Sequence, residues 1–262
     1  MYRIESIAQY FELVENIWRE WTEQLPNSLA DIWFRGHADA NWTLQPSGLR
    51  KPFAAISEHR LRHDFYVKAL PFVREAVKPP TGDWEWYFLM QHYGIPTRLL
   101  DWSESALVAL YFALETLGQE HDGKIDACVW ILQPRGINTK LSKIGNFIPI
   151  FSDVSVSHYL PSLWDESKAL IPTYPAAFDP PANSPRLAAQ RGKFTVHGLE
   201  ATPLERYKQL ARDLVQIVVP VEVKEKMRRQ FLLTGITEGV LFPSLSGVAN
   251  EVKGLYSKQW EI

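Results

Sequence analysis

The chain has 262 residues, 46% of them hydrophobic, and is therefore long enough to bury a sizeable core. Its 28 basic and 30 acidic residues give a formal net charge of −2, which excludes a global field that attracts nucleic acid or membranes. A role in nucleic-acid binding is left with only local basic segments such as residues 224–229. No stretch approaches the roughly 18 consecutive apolar residues of a membrane span.

Cysteine content and the first twenty residues bear on the compartment. The single cysteine, Cys128, cannot form an internal disulfide, which is typical of a reducing cytoplasm. The first twenty residues carry acidic side chains throughout their apolar pattern, unlike a signal peptide. We therefore expect a cytoplasmic protein. No metal site is predicted, since His59 and His63 lack the intervening glutamate of hydrolytic zinc helices.

The N-terminal segment predicts a helix followed by a strand. Apolar residues recur at helical spacing across residues 5–24, and residues 31–36 indicate a short strand that ends in Arg35 and Gly36. The Arg35 guanidinium is suited to a phosphate or carboxylate, and Gly36 would let the backbone approach that ligand. The structural alternative is an ion pair between Arg35 and Asp31, Asp39 or Asp101.

Residues 54–78 predict a helix with a break or a new helix start at Pro71, and Asp83 is expected to cap the next helix. That second helix leads into Gln91, His92 and Tyr93, where hydrogen-bonding and aromatic groups precede a turn. An apolar helix is expected over residues 106–113, because a helix that is apolar on every face is buried.

The start of this apolar helix is a candidate anion site. We expect Asp101 or Ser103 to cap it, so that its first turn carries Thr97, Arg98, Asp101 and Ser103. Polar groups at the positive end of a helix dipole favour an anionic ligand. The alternative is an ordinary core helix with a buried Arg98–Asp101 pair.

The second half of the chain predicts further strands. A proline-rich irregular region over 137–185 is interpreted as a lid or binding loop, or alternatively as an inert surface excursion. In the strand at 194–197, alternation should send Thr195 and His197 to one face, with His197 either a site residue or a structural group. The remaining expected elements are strands at 126–132 and 214–219, a short helix at 203–212, a helix after Pro220, a β segment after Gly235 and a terminal helix.

These patterns predict a single α+β domain over residues 1–262, with an N-terminal helix within 1–25 and an inserted irregular region at 137–185. Its core should be a small mixed or antiparallel sheet packed against several helices. The chain lacks the GxxxxGK[ST], GxGxxG and GxSxG motifs, which removes most support for P-loop, Rossmann and serine-hydrolase functions.

Four sequence blocks together resemble the FRG domain, a bacterial family named for its Phe-Arg-Gly motif. They are WFRGHADANWTLQPSGLR at 33–50, LMQHYGIPTRLLDWSESALVALYFALE at 89–115, PRLAAQRGKFTVHG at 185–198 and GITEGVLFPSLSGVANEVK at 235–253.

A further analogy, at the level of fold, links this layout to ADP-ribosyltransferases, which bind NAD with an early arginine. The analogy implies that Arg35 holds NAD, that Thr97 or Ser103 occupies the second site, and that Gln190 stands where those enzymes typically carry glutamate. Because an amide cannot accept a proton as a carboxylate does, Glu200 or Glu238 would then supply an acid, or the acceptor needs no base, or the site only binds.

The resemblance and analogy imply two functions. The first is an NAD-using ADP-ribosyltransferase-like enzyme, acting on a macromolecular acceptor as a toxin or phage-defence effector, with Arg35, Ser103 and Gln190 as catalytic residues. The second is a non-catalytic module that binds a nucleotide or anion. For either function, the nucleotide-binding residues are expected to be Arg35, Gly36, His92, Tyr93, Thr97, Arg98, Trp102 and His197.

Overall fold

The computed structural model describes residues 2–25, 29–73, 80–115, 124–160, 171–181 and 184–257. Within these ranges seven strands form one mixed sheet in the order β1-β7-β4-β2-β3-β6-β5. The strands are Tyr2–Arg3 (β1), Trp33–His37 (β2), Leu99–Ser103 (β3), Ala127–Leu132 (β4), Ala176–Phe178 (β5), Gly192–Val196 (β6) and Leu214–Val219 (β7). The short β1 runs parallel to β7, and every other neighbouring pair is antiparallel. The expected α+β class with a mixed sheet is confirmed.

Helices cover the sheet and its ends. They are Ile7–Glu23 (α1), Glu58–Val73 (α2), Asp83–His92 (α3), Ala106–Leu114 (α4), Pro134–Lys140 (α5), Val154–Ser157 (α6), Pro185–Ala189 (α7), Val221–Phe231 (α8), Glu238–Leu241 (α9) and Leu245–Ser257 (α10). Short 3-10 turns lie at Ser47–Leu49, Phe53–Ala55, Leu204–Arg206, Lys208–Leu210 and Leu232–Thr234.

The sheet is buried on both faces because its strands alternate their side chains between two apolar layers. On one face, Phe34 of β2 packs with α1 and α4, and Phe194 of β6 packs with α3. On the other face, Trp33 and Trp102 lie in a second cluster closed by α5 and the 3-10 turns near residue 207. The helical layer on the first face borders the cavity described below.

Several predicted elements are confirmed near their expected bounds, namely α1, β2, α3, α4, β4, β6, β7 and α8. Pro71 is neither a break nor a helix start, since it lies inside α2. Residues 74–78 of this expected helix lie outside the described residues. Helix α3 has Gly82 rather than Asp83 at its N-cap, and Asp83 is its first residue. The helix expected over 203–212 consists of two 3-10 turns.

The predicted start of α4 was wrong. Residues 99–103 form β3 and pair with all five residues of β6, so Asp101 and Ser103 lie on a strand and not in a helical turn. The helix is capped by Ser105, whose side chain accepts from the backbone N–H of Val108. Strand alternation also places Arg98 and Asp101 on opposite sides, and Arg98 pairs with Glu58 in place of the expected Asp101.

Two predictions for the later chain need correction or qualification. The segment after Gly235 forms α9 rather than a strand, because the Thr237 side chain caps a helical turn by accepting from Val240 N–H. The region 137–185 contains an ordered strand, β5, which pairs with β6 at the end of the sheet. Residues 161–170 and 182–183 of the expected lid lie outside the described residues.

Candidate functional site

A cavity of about 600 Å³ lies between α2, α3, α7 and the first face of β3 and β6. That volume falls in the usual range for small-molecule sites, about 300–1,000 Å³. Its apolar wall contains aromatic rings, and its polar groups converge from separate parts of the chain. The rings are Phe65, Phe72, Phe88 and Phe194, and the polar side chains are Glu85, Gln91, His92, Tyr93, Asp101, Ser184, Arg186 and Gln190.

The turn after α3 brings the first polar wall into place. Gln91 and His92 occupy the last turn of α3, Tyr93 follows as its C-cap, and Gly94 reverses the chain at a φ of 75°. This left-handed conformation favours glycine, because a side chain there would meet the backbone. The chain then returns along β3, which places Asp101 opposite Gln91.

A line of hydrogen bonds fixes the Asp101 carboxylate. Gln91 Nε2 donates to Asp101 Oδ2 over 2.7 Å, and Gln91 Oε1 accepts from the Thr97 hydroxyl. Thr97 is fully buried, whereas the Asp101 side chain is 55% exposed. The buried threonine thus orients an amide that holds a carboxylate at the wall of the cavity.

Arg35 supports Asp101 from the neighbouring strand. Its Nη1 donates to the Asp101 carbonyl oxygen over 2.5 Å and lies 3.8 Å from Asp101 Oδ2. Strands β2 and β3 pair only at Phe34 and Ser103. Beside that pair, the Arg35 guanidinium links the two strands. Burial lowers the pKa of Arg35, with the Asp101 charge opposing that change. Arg35 is therefore adjacent to the cavity through Asp101 and does not line it.

His37 completes this network as a neutral ring. Its Nε2 accepts from Arg35 Nε over 3.0 Å, so the ring proton belongs on Nδ1, which lies 3.2 Å from the Trp42 carbonyl oxygen. Burial and the nearby Arg35 charge lower the pKa of His37 to about 3. The ring consequently accepts from Arg35 at neutral pH.

Ser103 contacts Gln190 through the main-chain carbonyl group of Gln190, not through its side chain. The Ser103 hydroxyl donates to the Gln190 carbonyl oxygen over 2.7 Å and accepts from Ser105 N–H over 2.9 Å. The Gln190 side chain lines the cavity and donates to the Leu241 carbonyl oxygen over 3.1 Å. Ser103 is buried and does not line the cavity.

Four other predicted site residues lie in the interior, away from the cavity lining: Thr97, Arg98, Trp102 and His197. Arg98 donates to Glu58 over 2.6 Å and to the His197 carbonyl oxygen over 2.7 Å. Trp102 donates its indole N–H to Thr195 over 3.0 Å. Burial lowers the pKa of His197 to about 4, so this ring is neutral. These contacts join the strands around the site.

Gly36 is used for helix packing. A Cβ at this position would lie 1.9 Å from the Ala109 carbonyl oxygen of α4. The absence of a side chain therefore lets α4 cross β2 closely, which differs from the expected approach of a ligand to this backbone. Of the ten predicted site residues, His92, Tyr93 and Gln190 line the cavity.

Gln91, Asp101 and Arg186 all line the cavity. The sequence analysis had Gln91 only in the polar turn and Asp101 only in the expected first turn of α4, and it assigned Arg186 no role. Arg186 stands in α7, over the Phe242 ring at 4.7 Å, and its Nη1 lies 3.5 Å from the His92 carbonyl oxygen. The pKa of His92 is lowered by burial and by the Arg186 charge. If residues 99–103 had been predicted as a strand, Asp101 would not have been taken for a helix cap and would have been a candidate for the cavity wall.

The two acids proposed as substitutes at the third site stand elsewhere. Glu200 accepts from the Thr202 hydroxyl over 2.9 Å, and Glu238 accepts from the Asn250 amide over 2.8 Å. The charge of Glu238 also acts on Glu115. Burial is the larger cause and the Glu238 charge the second, and together they raise the pKa of Glu115 to about 6. Neither Glu200 nor Glu238 lines the cavity, which leaves Asp101 and Glu85 as its carboxylates within the described chain.

Two further features are absent from the described residues. No cluster of three or more His, Cys, Asp or Glu side chains is arranged to hold a metal ion there. In that part of the chain, no helix has the length and apolar character needed to cross a membrane.

Comparison with known proteins identifies one family. Residues 30–122 match the family model of the FRG domain. The match includes the first two blocks of the resemblance and ends before α7 and β6. No curated protein and no solved structure matches the chain. An ADP-ribosyltransferase-like fold therefore stays a prediction.

Proposed function

We propose that this chain, whose residues 30–122 match the FRG domain model, binds NAD or a related nucleotide in the cavity beside Asp101 and cleaves it. The observation that carries the proposal is the Asp101 carboxylate, held at the wall of an aromatic-lined cavity that Arg186 also lines. Ring faces suit a flat heterocycle, a carboxylate suits ribose hydroxyls, and a guanidinium suits phosphate.

Each part of the nucleotide has a matching surface. Phe88 and Phe194 stack with their centroids 5.3 Å apart, and both residues line the cavity. Tyr93 is 69% exposed at the cavity and offers a further ring. Arg186, which lines the cavity and lies over the Phe242 ring, supplies the cationic group for a diphosphate.

The proposed chemistry is transfer of ADP-ribose. The bond between the nicotinamide nitrogen and ribose C1′ breaks, and neutral nicotinamide leaves with the bonding electron pair. The Asp101 carboxylate stabilises the positive charge that develops on the ribose, and preorganised electrostatics of this kind is a large part of catalysis. The nucleophile of an acceptor forms the new bond to C1′ and loses its proton to the carboxylate or to water. Gln190 contributes a hydrogen-bonding amide and no base.

The decisive experiment measures nicotinamide release and label transfer. Purified protein is incubated with NAD labelled in the ADP-ribose part, with and without bacterial cell extract. We expect release with the wild type and a loss of roughly a hundredfold in Asp101→Asn, the usual scale for one electrostatic contact to a transition state. The matched control is Asp64→Asn on α2, because the side chains of Asp64 and Asp101 are both 55% exposed.

One outcome decides the enzyme proposal, and a separate one decides the toxin or phage-defence role. If the protein neither releases nicotinamide nor transfers label, while calorimetry shows NAD bound, the enzyme proposal fails. A toxin or phage-defence role further requires that expression of the wild type slows bacterial growth and that Asp101→Asn relieves it.

A non-catalytic nucleotide-binding module is the second candidate. It is favoured by the internal hydrogen bonds of Arg35, Ser103 and Gln190, which occupy the groups expected to perform chemistry. Saturable binding of NAD or ADP-ribose without nicotinamide release would support the module over the enzyme. Loss of that binding in Arg186→Gln would place the ligand in the cavity.

A further inference from the structure

The hydrogen bonds behind Asp101 have a fixed direction. Thr97 Oγ1 accepts from Leu99 N–H over 3.2 Å, which leaves its own proton for the oxygen of the Gln91 amide. An amide whose oxygen faces Thr97 must turn its NH₂ group towards Asp101, and the 2.7 Å contact lies there. Thr97 therefore sets the orientation of Gln91, and Gln91 donates to Asp101.

The donors around Asp101 define which groups remain open to a ligand. Gln91 occupies Oδ2, and the Arg35 guanidinium stands 3.8 Å from the same oxygen. Both neighbours are hydrogen-bond donors, so Oδ2 is already engaged within the protein. Within the described chain, Oδ1 of Asp101 has no hydrogen-bond donor, and it belongs to a side chain that is 55% exposed at the cavity.

We infer that this cavity selects a ligand that presents a pair of hydroxyl donors, the cis-diol of a ribose, to Asp101, and that Gln91 and Thr97 are positioning residues for this selection. The inference rests on the proposed function and specifies which part of the nucleotide meets Asp101. Oδ1 has two lone pairs and can accept from two adjacent hydroxyls, whereas the carboxylate repels an anion or a carbonyl oxygen placed at the same point. The selected ribose is the one that carries nicotinamide.

The test compares NAD with two analogues in which the 2′- or the 3′-hydroxyl of the nicotinamide ribose is replaced by hydrogen. Calorimetry gives the dissociation constant of each for the wild type. We expect removal of either hydroxyl to weaken binding at least about tenfold, as for loss of a hydrogen bond to a charged group.

Variants of Thr97 separate positioning from folding. Thr97→Val removes the hydroxyl and keeps the shape of a fully buried side chain, whereas Thr97→Ser keeps the hydroxyl. We expect the preference for NAD over its deoxy analogues to fall by at least about threefold in Thr97→Val, because Gln91 loses the hydrogen bond that anchors its amide oxygen and then holds Asp101 less firmly, and to persist in Thr97→Ser. Gln91→Glu, at a half-buried position, supplies a second variant that should abolish the preference.

Each outcome has a distinct meaning. Equal binding of NAD and both deoxy analogues to the wild type overturns the inference and leaves the proposed function standing. An unchanged preference in Thr97→Val and Gln91→Glu overturns the positioning role. Failure of the wild type to bind NAD at all overturns the proposed function, and this inference with it.

Discussion

Arg98 Nε lies 2.6 Å from Glu58 Oε2, and this pair fastens α2 to the start of β3. The arginine side chain is 7% exposed and also donates to the carbonyl oxygens of Tyr159 and His197. Since α2 forms one wall of the cavity, the geometry of the site depends on this buried guanidinium.

We predict that Arg98→Leu lowers the free energy of unfolding by about 3–5 kcal/mol, the usual cost of removing one member of a buried ion pair. Urea denaturation followed by circular dichroism measures the change. The control is Arg19→Leu, because Arg19 and Glu15 form an exposed pair whose loss should cost at most about 1 kcal/mol. Equal effects of the two substitutions would contradict the role given to Arg98.

Gly36→Ala should destabilise the fold by about 1–3 kcal/mol or more, because the new methyl group would overlap the Ala109 carbonyl oxygen. Thermal and urea denaturation measure it. Gly254→Ala on α10 is a control of opposite sign. A Cβ at Gly254 meets no atom within 4 Å, and alanine in a helix is favoured over glycine by about 1 kcal/mol. A stable Gly36→Ala protein would show that α4 can move off β2.

Stability should fall as the pH is lowered from about 6.5 towards 4. The pKa of His37 is lowered to about 3 and that of His197 to about 4, so both rings take up a proton more readily after unfolding. For such groups the stability is present above the unfolded pKa and is lost as pH falls towards the folded one. Each ring contributes up to about 1.4 kcal/mol per pH unit in that window.

The measurement is the free energy of unfolding of the wild type and of His197→Asn at pH 7.5, 6 and 5. We expect the variant to be less stable at pH 7.5 and to lose less stability between pH 6 and 5. His63→Asn on the exposed side of α2 is the matched control. Parallel pH profiles of wild type and His197→Asn would refute the contribution of this ring.

Ser103→Ala distinguishes a structural hydroxyl from a catalytic one. Loss of the hydrogen bonds with Gln190 and Ser105 should reduce stability by about 1–3 kcal/mol. Since the hydroxyl does not line the cavity, NAD affinity and nicotinamide release should stay within about threefold of wild type. A loss of release of a hundredfold or more, with affinity retained, would instead support Ser103 as a catalytic residue.

Much of the fold could be predicted because periodicity is a local property of sequence. The apolar repeat of α1 and the β-branched run of β7 each specify their own structure. Residues 99–103 were harder, because Leu-Leu-Asp-Trp-Ser precedes an apolar helix and its strand character comes from pairing with β6, which is distant in sequence. The short α9 was missed for a related reason, since one Thr237 cap decides it.

The site was predicted in part. The turn at residues 91–94 was predicted to be functional from its composition, and His92 and Tyr93 do line the cavity, although their function stays a prediction. Arg35 was singled out for a ligand, and the structural alternative of a contact with Asp101 is what the geometry shows. The positions of Asp101 and Arg186 depend on how β3 and α7 converge, which no local pattern contains.

The cavity is built from two stretches of chain, and only the first of them matches the FRG domain model. Asp101 and Gln91 fall within the segment that matches the FRG domain, whereas Arg186 and Gln190 come from the chain beyond it. A protein that shares only the matched segment would inherit the acidic wall without its basic counterpart. Chimaeras that exchange residues 184–196 between such proteins should therefore alter ligand choice while the Phe-Arg-Gly signature remains intact.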